Sequence, residues 1–140
     1  MKTIQPSRLL KLALYADAAG TASLAALQLA LPSQLGAQLS LPVELLTESG
    51  IFMAGYAALL VYLANARRVW TAVIRCIAIG NVGWAAACVA LAATSFVSPG
   101  GLGVAYLAFQ AVAVLVFAWF ELAGLRSSAA ATPAQSLQFH

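Results

Sequence analysis

Histidine is nearly absent from this chain: the single one, His140, is the final residue. A haem pair, a zinc triad or a histidine-based catalytic dyad therefore cannot be assembled within its body. Cysteine is almost as sparse. Cys76 and Cys88 fall on one predicted helix, about 18 Å apart by the helical rise and beyond disulfide reach, so both read as packing residues. No glycine-rich phosphate loop follows a strand, because no strand is predicted; GNVGW reads as a helix-packing motif and SPGGLG as a turn. These absences argue against an enzyme and leave no catalytic residue, metal ligand or cofactor to nominate.

Charge is also scarce, at 8% of 140 residues against 63% hydrophobic ones, a balance outside the soluble range. The solvent this composition fits is lipid. A hydrocarbon core of roughly 30 Å takes about 20 helical residues to cross, and four segments qualify: about 9–31, 43–65, 71–95 and 103–125. The expected fold is all-α, a bundle of four transmembrane helices, followed by a disordered tail over 126–140. Asp17 divides the first segment, which is longer than a secretory apolar region, so that helix is expected to be retained.

The seven basic residues all lie outside or at the edge of these spans: Lys2, Arg8, Lys11, Arg67, Arg68, Arg75 and Arg126. The connections PSQLGAQLSLP and SFVSPGGLG hold none. By the positive-inside rule both termini, tail included, are expected in the cytoplasm of a multi-pass protein of a bacterial inner membrane. The basic residues form no run and no recognition helix, so nucleic acid is not an expected partner. The lipid bilayer is.

The four acidic residues behave oppositely, because Asp17, Glu44, Glu48 and Glu121 all lie in or at the mouth of a span. Glu44 and Glu48 follow Pro42 in a helical first turn, where carboxylates complement the dipole. Asp17 is different. A charge at the centre of a lipid-embedded helix costs about 2.5 to 3.5 kcal/mol, so such groups face the bundle interior.

At 100° per residue Asp17, Thr21 and Gln28 form one stripe on the first helix, Gln110 and Glu121 one on the fourth, and Asn81, Trp84 and Cys88 one on the third. Counted inward from the cytoplasmic ends, Asp17 and Asn81 lie at about 12 to 15 Å, and Glu121 and Arg75 at about 6 Å. Matching depths predict two pairs, Asp17 with Asn81 and Arg75 with Glu121. Trp84, at mid-span, needs an acceptor for its indole N–H. The candidate intramembrane polar or ligand site is therefore Asp17, Thr21, Asn81, Trp84, Gln110, Glu121 and Arg75.

Ala16-Asp17-Ala18-Ala19-Gly20-Thr21 resembles the first-helix pattern of the small multidrug resistance transporters, with Asp in place of that family's Glu. The resemblance implies that Asp17 exchanges protons for a cationic substrate, in a homodimer or larger membrane complex, since four helices enclose little volume. Four spans with Asn81-Val82-Gly83-Trp84 on the third also resemble the uncharacterised small four-helix integral membrane proteins of bacteria, which implies a fold and a compartment but no function. The function expected from the residues is that of a non-enzymatic accessory or small-ligand-binding membrane protein, with a proton- or cation-coupled carrier centred on Asp17 as the alternative.

Overall fold

The computed structural model describes residues 2–94 and 96–130. Its order is β1 (Thr3–Gln5), α1 (Arg8–Ala30), α2 (Pro32–Leu39), α3 (Val43–Asn65), β2 (Val69–Trp70), α4 (Thr71–Ala93), α5 (Gly101–Arg126) and β3 (Ala129–Ala130). The class is all-α, as the apolar runs predict. Among the described residues three helices, α3, α4 and α5, are long and apolar enough to cross a membrane. Of the four spans expected, α1 is the one that falls short of that measure. At 23 residues it is as long as α3 and α4, but Asp17, Thr21, Ser23 and Gln28 interrupt its apolar run.

The outer faces of the three apolar helices carry Ile51, Tyr62, Ile79, Val89, Val112 and Trp119, all well exposed. Helices that are apolar all round, yet face no protein on most of their surface, fit a hydrocarbon solvent.

Two features were not expected. PSQLGAQL, read as a connection, is the short helix α2, opened by Pro32 at its first turn and closed by Ser40 in the left-handed region at φ 55°. Three short strands also exist where none was predicted, forming a sheet of order β2-β1-β3, both pairings antiparallel. Ile4 pairs with Val69 on one side and Ala130 on the other. The sheet thus gathers the N-terminal segment, the α3–α4 connection and the end of α5 at one end of the bundle, where every basic residue also lies.

Residues 126–130 were expected to open a disordered tail. Instead Arg126 ends α5, and Ser127 and Ser128 cap it before β3. The rest of that expected tail, 131–140, lies outside the described residues.

Packing around α1 sets the site. Ser7 caps α1 by accepting from Leu10 N at 3.1 Å, and its hydroxyl donates to Gly124 O at 2.9 Å. A Cβ at Gly124 would sit 2.6 Å from Leu10 Cα, so glycine is what lets α1 and α5 close at this end. At the far end Gly100 N donates to Leu39 O at 3.1 Å, fastening α5 to α2. Helix α1 packs on α3 and α5, and α5 on α4, whereas the backbones of α3 and α4 scarcely approach each other. That gap leaves room for side chains in the interior.

Candidate functional site

Among the described residues six polar side chains are buried: Asp17, Thr21, Gln28, Asn81, Gln110 and Glu121. Each sits on the inward stripe of its helix, because a buried polar group left unpaired costs more than one bonded to a neighbouring helix. The hub is Asn81 on α4. Its Nδ2 donates to Asp17 Oδ2 at 3.0 Å and to Glu121 Oε2 at 3.2 Å, and its Oδ1 accepts from the Tyr56 hydroxyl at 3.2 Å. Thr21 donates to the other oxygen of Asp17 at 2.9 Å. Helices α1, α3, α4 and α5 therefore meet at one amide. Both carboxyls are 0% exposed, and Glu121 Oε1 has no hydrogen-bond partner.

The predicted pair Asp17–Asn81 thus forms, and the predicted pair Arg75–Glu121 does not. Arg75 is exposed, while Glu121 is bonded to Asn81. Depth alone put those two together. Six residues from Asn81, however, Arg75 is about 120° away from it around α4 at 100° per residue. Side-chain direction explains what Glu121 does instead. Cβ atoms lean toward the N-terminus of their own helix; α1 leaves the sheet end and α5 returns to it, so the carboxyl of Asp17 leans back toward the sheet while that of Glu121 leans into the bundle. They converge although their Cα atoms were counted at different depths.

Above the hub, away from the sheet, the indole N–H of Trp84 donates to Gln110 Oε1 at 3.1 Å, giving both predicted residues a partner. Higher still, Gln28 donates to the Tyr106 hydroxyl at 2.7 Å and accepts from Ser49 at 3.0 Å.

Two cavities follow this ladder. The first, about 360 Å³, is lined among others by Thr21, Tyr56, Asn81, Trp84, Gln110 and Phe117. The second, about 240 Å³, lies nearer α2 and is bounded by Gln28, Glu48, Ser49 and Tyr106. Trp84 and Gln110 line both, so their hydrogen bond is the partition between them. The larger cavity has an aromatic wall: Phe52 lies parallel to Tyr56 at 6.3 Å and to Trp84 at 5.8 Å. Toward the sheet the interior is closed by Leu10, Leu14, Leu60 and Ile74, none of them exposed.

Of the predicted residues, Asp17, Thr21, Asn81 and Glu121 share the hub, Trp84 and Gln110 form the partition, and Arg75 stands apart. Tyr56 was missed. Its signal was present on α3, where Ser49, Met53 and Tyr56 fall on one stripe at helical spacing, but an isolated tyrosine in an apolar run reads as packing. What the arrangement can do is hold a small molecule over a polar floor, and hold a proton or a small cation between two carboxyls that would repel if both were charged. Comparison with known protein families, with curated proteins and with solved structures finds no match.

Proposed function

We propose that this chain is a multi-pass protein of a bacterial inner membrane, with α1 crossing beside α3, α4 and α5 and both termini in the cytoplasm, and that it binds a small molecule without transforming it. The observation that carries the reading is the cavity of about 360 Å³ set directly over the Asp17–Asn81–Glu121 hub. Its size falls in the range of small-molecule sites, which are largely apolar with a few convergent polar groups. The aromatic wall suits a flat or apolar body, and Thr21, Tyr56, Asn81 and Gln110 suit a hydrogen-bonding head. Membership of α1 in the membrane is supported by its length, by its packing on two apolar helices and by the inward direction of its polar stripe. The one-sided basic residues support the orientation.

A second reading, a proton- or cation-coupled carrier working through Asp17, is favoured by one specific observation: two fully buried carboxyls bond the same amide nitrogen, and one oxygen of Glu121 has no donor. A carrier of this size would work as a homodimer or in a larger membrane complex. Titration of the purified protein with tetraphenylphosphonium, with binding and proton release recorded together, separates the readings. Saturable binding without proton release, retained in Asp17→Asn, supports simple binding. Proton release that Asp17→Asn abolishes supports the carrier. Absence of saturable binding in the parent counts against both for that ligand class.

A further inference from the structure

The sheet end of the bundle holds a further concavity that no part of this function uses. It measures about 400 Å³ and is lined by Gln5, Pro6, Lys11, Arg67 and Arg68. Among the described residues three cations line it and no carboxylate does. Asp17 and Glu121 lie behind the buried leucines of the interior, and Glu44 and Glu48 lie at the other end of α3.

We propose that this concavity binds the phosphate of an anionic phospholipid head group. One-sided basic residues alone would set orientation and need no particular arrangement. Here the backbone that carries the two arginines is fixed. The Arg67–Arg68 turn is pinned before and after: Asn65 Oδ1 accepts from the Tyr15 hydroxyl at 2.7 Å, Val69 pairs with Ile4, and Thr71 N donates to Lys2 O at 3.1 Å. Lys11 lies one helical turn from Tyr15 on α1, on the same face, and so stands beside that turn. Two guanidinium forks and an ammonium that line one space match a phosphodiester, whose oxygens can accept from each.

The level of the site selects its ligand source. Tyr15, Tyr62 and Trp70 are 40%, 72% and 52% exposed at this same end. Exposed tyrosine and tryptophan at the end of an apolar helix settle at the head-group layer, which places the three cations where lipid phosphates lie. The inference rests on the bundle lying in a bilayer, and not on what its interior binds.

The experiment takes the full chain, purified and stripped of lipid in a neutral detergent, and adds phosphatidylglycerol, phosphatidylcholine or inorganic phosphate in separate arms. Binding is read by native mass spectrometry and by the shift in unfolding temperature. Phosphatidylglycerol is expected to bind as a single tight molecule per chain, in preference to phosphatidylcholine. The triple variant Lys11→Gln, Arg67→Gln, Arg68→Gln should weaken it at least tenfold, given roughly fivefold per neutralised cation. A second triple of equal charge loss, Lys2→Gln, Arg75→Gln, Arg126→Gln, should leave binding within about twofold, because none of those residues lines the concavity. If the first triple does not fold, Arg68→Gln alone should still show a loss of roughly fivefold. Equal weakening by both triples would mean diffuse attraction and overturn the site. Equal binding of phosphatidylcholine, or equal stabilisation by inorganic phosphate, would overturn the lipid assignment.

Discussion

Replacing Glu121 by Gln turns the hub into a quantitative test. Glu121 accepts one bond from Asn81 Nδ2 at 3.2 Å, has a second oxygen without a donor, and shares that nitrogen with the carboxyl of Asp17. Glutamine keeps the shape, keeps an acceptor for Asn81 and supplies an N–H2 where two acceptors now meet. The net worth of one added hydrogen bond is about 0.5 to 1.5 kcal/mol, so Glu121→Gln should unfold at the same denaturant level as the parent or higher. Asn81→Leu has the opposite sign. It removes all three bonds of the amide and leaves both oxygens of Glu121 without a donor, while Asp17 keeps Thr21. At about 0.6 kcal/mol per intramembrane bond the floor is about 2 kcal/mol; adding the desolvation of a stranded carboxyl brings it to roughly 3 to 5. Reversible unfolding in mixed detergent–lipid micelles reads both. In Asn81→Leu/Glu121→Gln the losses should fall short of additivity by about 1 kcal/mol, well outside the 0.3 to 0.5 expected of distant sites. Had Glu121 been paired with Arg75, Glu121→Gln would cost stability by leaving a poorly solvated guanidinium behind. A loss above about 1 kcal/mol in that single variant would therefore refute the hub.

Arg75→Gln should change stability by no more than about 0.5 kcal/mol, as an exposed side chain does, in the same unfolding assay. Gly124→Val should lower the unfolding temperature sharply or prevent folding, because its Cβ would meet Leu10 Cα at 2.6 Å; overpacking of this kind costs about 1 to 3 kcal/mol where the backbone can give. Trp84→Phe should cost only about 0.6 to 1.7 kcal/mol, the range for one intramembrane bond, while merging the two cavities, which would appear as a ligand of larger volume being accepted. Reporter fusions after residues 37, 69, 100 and 130 should read outside, inside, outside, inside.

The helices and much of the hub were legible because apolar run length and the 100° turn are local properties. Asp17 with Asn81 followed from face and depth together. Arg75 with Glu121 failed because depth was used without face, and because the lean of a side chain toward its helix N-terminus reverses between α1 and α5. The strands could not be read: Thr3–Gln5, Val69–Trp70 and Ala129–Ala130 are too short to show an alternating pattern and exist only by pairing across the chain. Eight residues of α2 are likewise too few for a periodic stripe to emerge from PSQLGAQL. The cavities depend on α3 and α4 standing apart, a packing outcome that no single segment encodes.

The cavity over the hub is reached most directly through Trp84. With Trp70→Phe and Trp119→Phe, Trp84 becomes the sole tryptophan of the three, and its emission can be followed in neutral-lipid nanodiscs as benzyltrimethylammonium is added. A ligand seated among Phe52, Tyr56 and Trp84 should give a saturating change, and Ala113→Phe, which fills the same cavity, should abolish it. A response that rises linearly without saturation, and is the same with and without Ala113→Phe, would mean that the probe only partitions into lipid and would contradict a binding site in the bundle interior.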